Sequence, residues 1–218
     1  MLLACWSVKG GSGTTVVSAA LSLVLATRIH DVVVADLAGD LPSTLGVAGS
    51  SPGVSDWVAA GPEVEADALG RLALDVRPLR VLPLGSTPFP TAADEAAAGA
   101  GRLVEALDSV EAVVVDAGRA ETEPFAARVV AAADVSLLVV RPCYLALRRA
   151  VASSLRPTGI VLVDEPGRAL TALDIEEALD VPVLATVPHR PEIARAVDAG
   201  MLSGRLPRAL AAALRRAT

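Results

Sequence analysis

Short apolar runs recur along this 218-residue chain, and stretches with helical character separate them. The runs are rich in valine and leucine and span residues 2–8, 31–35, 80–84, 112–115, 135–140, 159–163 and 183–187. Apolar runs without alternation are typical of strands that are buried on both faces of a parallel sheet. Parallel neighbours also need a crossing segment, usually a helix, between them. The alternation therefore predicts an α/β fold with a doubly wound, mainly parallel sheet and helices on both faces.

The segments between these runs predict the helices and one long loop. Helices are expected at residues 14–26, 54–60, 66–72, 91–107, 123–132, 145–154, 172–179, 192–199 and 207–216, and a loop at residues 37–53. Thr91 is the expected N-cap of its helix, because Asp94 and Glu95 follow in the first turn. The sequence shows no repeat and no long linker, so we expect a single domain over residues 1–218.

Composition and charge disfavour several classes of protein. Hydrophobic residues make up 53% of the chain, but its apolar runs reach only about six residues, whereas a membrane-spanning helix needs about 20. No signal peptide is visible, so a cytoplasmic protein is expected. The net charge of −6 disfavours a surface that coats DNA along its whole extent. Cys5 and Cys143 are expected to be small buried residues. His30 and His189 lie too far apart to suggest a zinc or iron–sulfur site.

The segment from Lys9 to Thr15 reads KGGSGTT and lies between the first predicted strand and the first predicted helix. A phosphate-binding loop requires that context, since its glycines let successive N–H groups face phosphate oxygens. The helix N-terminus adds partial positive charge, and Thr15 stands where a hydroxyl would ligate Mg²⁺. Lys9 is the only lysine among 19 basic residues, which suggests a chemical need for its compact charge. A glycine-rich turn that binds nothing stays an alternative.

This loop resembles the variant phosphate loop of the ParA/MinD family, which begins with an additional lysine. The match covers Lys9, Gly10, Gly11, Gly13 and Thr15. Other segments resemble the family in the same order, at residues 31–45, 113–118, 133–149 and 174–200. The resemblance implies a P-loop NTPase-like fold that binds ATP and Mg²⁺. It also implies a homodimer in which Lys9 reaches the partner's phosphates.

The same resemblance assigns roles to individual residues. The phosphates would contact Gly10, Gly11, Ser12, Gly13, Thr14 and Thr15, and the base would lie beside Pro188, His189 and Arg190. Asp36 matches the first aspartate of switch I, and Asp116 would reach Mg²⁺ through water while Thr15 ligates it. Lys9, Asp36 and Asp116 are therefore the candidate catalytic residues.

Two positions depart from the family pattern. Thr14 replaces the second lysine of the loop, which contacts the β- and γ-phosphates, and Ala38 replaces the switch I aspartate that positions the attacking water. Asp40 is a candidate substitute for the missing carboxylate, and Arg119 for the missing positive charge. We expect weak or lost ATP binding and very slow or absent hydrolysis.

These departures are similar to the CpaE/TadZ branch of the family, whose members help to place Flp-type pilus assembly machinery. The leading hypothesis is a dimeric positioning or scaffold protein with a protein partner in a positioning or secretion/pilus system. The alternative is an active ATPase of chromosome or plasmid partition type that binds DNA non-specifically. Its candidate DNA-binding residues are Arg148, Arg149, Arg205, Arg208, Arg215 and Arg216.

Two further hypotheses are less favoured. A metallochaperone ATPase would need a cysteine pair at its dimer interface, whereas Cys5 and Cys143 stand apart in the sequence. Peripheral membrane binding would use the last helix, on which Leu206, Leu210 and Leu214 recur along one face. Packing of that face against the domain itself is the favoured interpretation.

Overall fold

The computed structural model describes residues 1–48 and 52–217. In these residues eight strands form one sheet, in the order β3-β4-β2-β5-β1-β6-β7-β8. The strands are β1 (Leu2–Trp6), β2 (Val32–Asp36), β3 (Leu74–Val76), β4 (Leu79–Leu82), β5 (Ala112–Asp116), β6 (Val135–Val140), β7 (Gly159–Asp164) and β8 (Val183–Pro188). All neighbours pair in parallel except β3, which is antiparallel to β4. The predicted doubly wound, mainly parallel sheet is confirmed.

Helices cover both faces of this sheet. In the described part of the chain they are α1 (Thr14–Leu25), α2 (Leu41–Thr44), α3 (Val54–Ala59), α4 (Ala66–Gly70), α5 (Ala93–Leu107), α6 (Pro124–Ala132), α7 (Tyr144–Ala152), α8 (Ala172–Leu179), α9 (Pro191–Asp198) and α10 (Arg208–Leu214). None of these helices combines the length and apolar character needed to span a bilayer.

Two hydrophobic cores sandwich the sheet, one on each face. The first packs Trp6 and the fully buried Phe125 under helices α3 to α8. The second packs β-strand residues against α1 and α10, with Leu21 among its buried members. Because both faces of the central strands are covered, those strands have no solvent side that would favour polar residues. This explains the continuous valine and leucine runs that predicted the fold.

The leucines of the last helix belong to the second core. Leu210 and Leu214 of α10 are fully buried, and Leu206, which the structure places before this helix, packs against the same cluster. This apolar face therefore packs inside the domain and is not available to a bilayer in this conformation.

Three local predictions differ from the structure. The sequence did not indicate β3, a three-residue edge strand with a charged residue at its centre. The predicted loop at residues 37–53 contains α2, which is too short to show a helical period; its residues 49–51 lie outside the described part of the chain. The N-cap of α5 is Ala92 and not Thr91, and no side chain caps this helix.

Candidate functional site

A glycine-rich loop connects β1 to α1 at the carboxyl edge of the sheet. Gly11 and Gly13 have φ angles of +76° and +92°, a left-handed conformation that glycine adopts without strain. The Ser12 hydroxyl donates to the carbonyl of Lys9 at 2.7 Å, which closes the loop upon itself. Strands β2 to β5 lie on one side of β1 and β6 to β8 on the other. Ligands of such open sheets bind at this kind of reversal in strand order.

The loop forms one wall of a cavity of about 570 Å³, which we call the phosphate-loop cavity. Its walls include Gly10, Gly11, Ser12, Gly13, Thr14 and Thr15 from the loop and the start of α1, and Ala38, Asp40, Gly118 and Arg119 from the loops after β2 and β5. The structure thus brings the predicted phosphate-binding residues together with both candidate substitutes, Asp40 and Arg119.

Asp36 and Asp116 end β2 and β5 and stand opposite each other in register. Both side chains are fully buried. Asp36 accepts hydrogen bonds from the N–H groups of Ala38 at 2.8 Å, Gly39 at 2.7 Å and Leu41 at 3.1 Å. Burial raises the pKa of Asp36, and these three donors oppose the shift. Asp36 therefore holds the loop after β2 in place and leads it into α2.

Asp116 differs because one of its carboxylate oxygens has no hydrogen-bond partner among the described residues. Its Oδ1 accepts the N–H of Gly118 at 3.2 Å, while Oδ2 has no hydrogen-bond partner among the described residues. Burial raises the pKa of Asp116 to about 7; the nearby Thr15 hydroxyl lowers it, and the charge of Asp36 raises it further. A buried carboxylate oxygen without a partner is costly unless a ligand or water completes it.

These residues fit a Mg²⁺ ion that arrives with a nucleotide. The Thr15 hydroxyl and the free Asp116 oxygen are hard oxygen donors of the kind that Mg²⁺ prefers. No group of three or more His, Cys, Asp and Glu side chains in the described residues is arranged to hold a metal. Mg²⁺ usually takes one or two carboxylates and completes its shell with phosphates and water, which matches this sparse donor set. When bound, the ion would neutralise phosphate charge.

Lys9 does not belong to its own phosphate-loop cavity. It is half-buried and is absent from the described residues that line that cavity. Its ammonium lies near Cys143, whose pKa is lowered mainly by the N–H of Ala146 and in smaller part by Lys9. Among the described residues Lys9 is thus not part of this cavity wall, and its charge acts on the thiol at the N-cap of α7.

A smaller cavity of about 240 Å³ adjoins the first, and we call it the side cavity. Pro188, His189 and Arg190, which the resemblance placed beside the base, line this cavity. Gly13 and Val16 line both cavities, so the two meet at the start of α1. The other walls of the side cavity are mainly apolar and include Val17, Val163, Val187 and Ile193. A phosphate cradle beside an apolar slot has the shape that a nucleotide requires.

Sequence reasoning missed two contributors to these cavities. The loop at residues 84–89 supplies Leu84, Thr87, Pro88 and Phe89 to the phosphate-loop cavity. Arg141, at the end of β6, lines the side cavity and pairs with Glu165 at 2.6 Å. Both follow a strand at the carboxyl edge, and that position in the predicted topology was the only available signal.

The sequence predictions for the two cysteines have different outcomes. Cys5 is buried, as expected, and burial raises its pKa to about 12. Cys143 is only half-buried at the N-cap of α7, which corrects the prediction of a buried residue. Tyr144, the next residue, is 73% exposed and has no core role.

The six candidate DNA-binding arginines do not form one patch. Arg148 and Arg149 lie on α7, which packs on the first core, whereas Arg208 lies on α10, which packs on the second. Arg205 and Arg208 line a separate cavity of about 780 Å³ between α9 and α10. This larger cavity contains no residue of the glycine-rich loop, whereas both smaller cavities do, so the candidate site is assigned to the two smaller ones.

Comparisons with known proteins agree with this geometry. The family profile described as "CobQ/CobB/MinD/ParA nucleotide binding domain" matches residues 3–203. No curated protein matches the chain significantly.

Several solved structures share the fold. A ParA family ATPase from Chlorobium tepidum TLS is 19% identical with a TM-score of 0.78, over 98% of this chain and 96% of that one. The septum site-determining protein MinD from Pyrococcus horikoshii OT3, complexed with Mg-ADP, is 19% identical with a TM-score of 0.78, over 99% and 93%. The cell division ATPase MinD of Pyrococcus furiosus is 22% identical with a TM-score of 0.78, over 99% and 97%. At these identities the likeness establishes the fold alone.

Proposed function

Because the chain belongs to the CobQ/CobB/MinD/ParA family of nucleotide-binding domains, we propose that it is a nucleotide-gated positioning protein of pseudo-ATPase type. In this proposal it binds ATP with Mg²⁺ weakly in the cytoplasm, dimerises around the nucleotide and hydrolyses it very slowly or not at all. The observation that carries the proposal is a cavity lined by the whole glycine-rich segment from Gly10 to Thr15, in which Thr14 and Ala38 stand at the two positions where the resemblance expects charged side chains.

Weak binding follows from the size of the missing interaction. A hydrogen bond to a charged group contributes about 1.5–3 kcal/mol, and each 1.4 kcal/mol is about tenfold in affinity. Loss of the lysine at position 14 would thus weaken ATP binding by about 10- to 100-fold. The glycine-rich backbone and the N-terminus of α1 are retained and still favour a phosphate. A nucleotide held with reduced affinity is therefore the expected state.

Slow turnover follows from Ala38. Phosphoryl transfer depends on positioning the attacking water and on stabilising charge, and a methyl group does neither. Asp40 lines the same cavity and is exposed, so it is the residue that offers a substitute carboxylate. We expect that it does not restore efficient hydrolysis, because Ala38 and not Asp40 stands at the position matched by the resemblance.

The cellular role is proposed by analogy. The loop after β2, with Gly39-Asp40-Leu41 and then Leu45-Gly46, resembles the CpaE/TadZ branch. We therefore propose a homodimeric scaffold that recruits a protein partner in a positioning or secretion/pilus system, such as Flp-type pilus assembly. In the dimer, Lys9 would contact the partner's phosphates, and its position outside its own cavity supports this.

The alternative is an active partition-type ATPase that binds DNA without sequence preference. The cavity between α9 and α10 supports it, since Arg195, Arg205 and Arg208 line this cavity. Binding to random duplex DNA that requires Mg-ATP and falls steeply with salt would favour this alternative. DNA binding that is absent at low salt would exclude it.

The proposal is tested by titrating the purified protein with a fluorescent ATP analogue in Mg²⁺ and competing with unlabelled ATP. We expect binding that Thr14→Lys strengthens by about 10- to 100-fold. Phosphate release should stay at background in the wild type. Absence of binding in both wild type and Thr14→Lys would refute nucleotide gating. Mg²⁺-dependent phosphate release that Lys9→Ala abolishes would refute the pseudo-ATPase assignment.

A further inference from the structure

The carboxylates in and beneath the wall of the phosphate-loop cavity repel a phosphate group, so a positive side chain is needed to offset their charge. Three charged residues line it, namely Asp40, Glu123 and Arg119. Asp36 and Asp116 lie buried beneath it, so carboxylates outnumber cations. Arg119 is the only basic side chain among the described residues of the cavity wall. A polyphosphate that enters here therefore meets one positive side chain of the protomer itself.

The position of Arg119 suits contact with the loop. It follows Gly118, whose φ of +52° turns the chain after β5. A Cβ atom placed on Gly10 would lie 3.9 Å from the Arg119 Cδ, so the stem of this arginine runs over the glycine-rich loop. Its carbonyl accepts the N–H of Thr122 at 3.0 Å and the Thr122 hydroxyl at 2.9 Å, which anchors its backbone.

The guanidinium of Arg119 has no ion-pair partner among the described residues. Glu123, four residues later, lines the same cavity but forms no ion pair with it. The side chain is exposed, so the backbone is held while the charged end is free to turn. A surface arginine that only interacts with solvent is the alternative interpretation, and it would not require the stem to lie over Gly10.

We propose that Arg119 supplies, within the same protomer, the phosphate-binding cation that Thr14 no longer provides. This inference rests on the proposed nucleotide function. A guanidinium contacts two phosphate oxygens at once with its planar donors, and it stays charged at every relevant pH. Because its stem lies over Gly10, this positive group stands beside the loop to which the phosphates would bind. The two arrangements, lysine at 14 and arginine at 119, are then alternative solutions to one charge requirement.

The test is a double-mutant cycle read by nucleotide binding. Wild type, Arg119→Ala, Thr14→Lys and the double variant are titrated with the fluorescent ATP analogue in Mg²⁺, with thermal unfolding as a check of folding. We expect Arg119→Ala to weaken binding by about tenfold or more. The same substitution in the Thr14→Lys background should have a clearly smaller effect, because the lysine already supplies the charge. Arg119→Lys should keep most of the affinity.

Arg128→Ala is the matched control, since Arg128 is exposed on α6 and does not line the cavity. It should bind like the wild type. If wild type binds and Arg119→Ala binds equally well, the inference is overturned while the proposed function stands. If neither wild type nor Thr14→Lys binds, the proposed function fails and the inference fails with it. Equal losses from Arg119→Ala in both backgrounds would also overturn it, because Arg119 would then act independently of position 14.

Discussion

At the scale of single residues, the two buried aspartates at the carboxyl edge differ in what their oxygens contact. Asp36 uses both oxygens to hold the backbone of the next loop. Asp116 keeps Oδ2 without a partner among the described residues, although it is just as buried. The resemblance named both as candidate catalytic residues and only Asp116 as a Mg²⁺ contact; the contacts show that Asp36 holds a loop while one oxygen of Asp116 has no partner among the described residues.

This difference predicts a pH dependence of stability. The folded pKa of Asp116 is about 7, whereas an unfolded aspartate titrates near about 4. Between these values the folded state binds more protons, so the free energy of unfolding should fall as pH rises through that window. Above about pH 7 Asp116 is ionised in the folded state, and the full destabilisation from burying its charge is present. Asp116→Asn removes the charge and should stabilise the nucleotide-free protein at about pH 8, by about 1 kcal/mol or more.

Urea unfolding of wild type and Asp116→Asn in EDTA, at about pH 5 and about pH 8, measures this effect. The stability difference between the two proteins should be larger at the higher pH. The same variant should bind Mg-nucleotide more weakly. The carboxylate would then lower the stability of the nucleotide-free protein and raise its affinity for the nucleotide. A difference that is independent of pH would contradict the assignment of a raised pKa to Asp116.

At the scale of elements, the loop after β4 is tied to α3 through one carboxylate. Asp56 accepts hydrogen bonds from the N–H of Gly53 at 2.9 Å, from the N–H and hydroxyl of Ser86 at 3.0 Å each, and from the N–H and hydroxyl of Thr87 at 3.0 and 2.7 Å. These hydrogen bonds hold the pKa of Asp56 well below its usual range. The Thr87 hydroxyl contributes most to this lowering, and the backbone N–H groups add to it.

The other end of this loop is fixed by an aromatic pair. Phe89 stacks on Phe125 of α6, with ring centroids 4.1 Å apart and planes 6° from parallel. Such pairs add to the stabilisation from apolar burial. Because Thr87 and Phe89 both line the phosphate-loop cavity, these two contacts position one wall of the candidate site.

Asp56→Ala should therefore loosen a wall of the cavity as well as lower stability. We expect a lower melting temperature and weaker binding of the ATP analogue. Since the pKa of Asp56 is lowered on folding, its contribution is present above about pH 4 and is lost as pH falls through the folded pKa. Asp67→Ala, at an exposed position on α4, is the control. Equal melting temperatures of the two variants would show that the hydrogen bonds of Asp56 do not hold the loop.

At the scale of the whole molecule, the helices on the two faces divide the surface arginines. Arg148 and Arg149 lie on α7 over the first core, whereas Arg208 lies on α10 over the second core. A single protomer therefore does not present these arginines on one surface. Lys9 lies in the loop after β1, its charge acts on Cys143 at the N-cap of α7, and it does not line its own cavity among the described residues. A single lysine placed this way is consistent with use by a second copy of the chain.

Nucleotide-dependent dimerisation is the prediction at this scale. Sedimentation velocity with Mg²⁺ and a non-hydrolysable ATP analogue should show a shift from monomer to dimer in the wild type. Lys9→Ala should stay monomeric under the same conditions. Lys9→Arg is the informative control, because it keeps the charge but replaces a compact ammonium with a planar fork. A dimer that forms equally in Lys9→Ala, or without nucleotide, would rule out this role of Lys9.

The sequence by itself determined the parallel sheet and the location of the glycine-rich loop between β1 and α1. Both depend on local order, because apolar runs indicate strands that are covered on two faces and a glycine-rich segment between a strand and a helix indicates a tight connecting loop. The resemblance also identified Asp36, Asp116 and residues 188–190 as site candidates. All of them lie at the carboxyl edge of the sheet.

Only the tertiary structure decided which distant residues meet. It laid the stem of Arg119 over Gly10, brought the loop after β4 into the wall of the same cavity, and fixed that loop to Asp56 and Phe125. None of these contacts joins neighbours in sequence, so no local pattern records them. They arise because parallel strands bring their carboxyl ends to one edge of the sheet, where loops from separate parts of the chain come into contact.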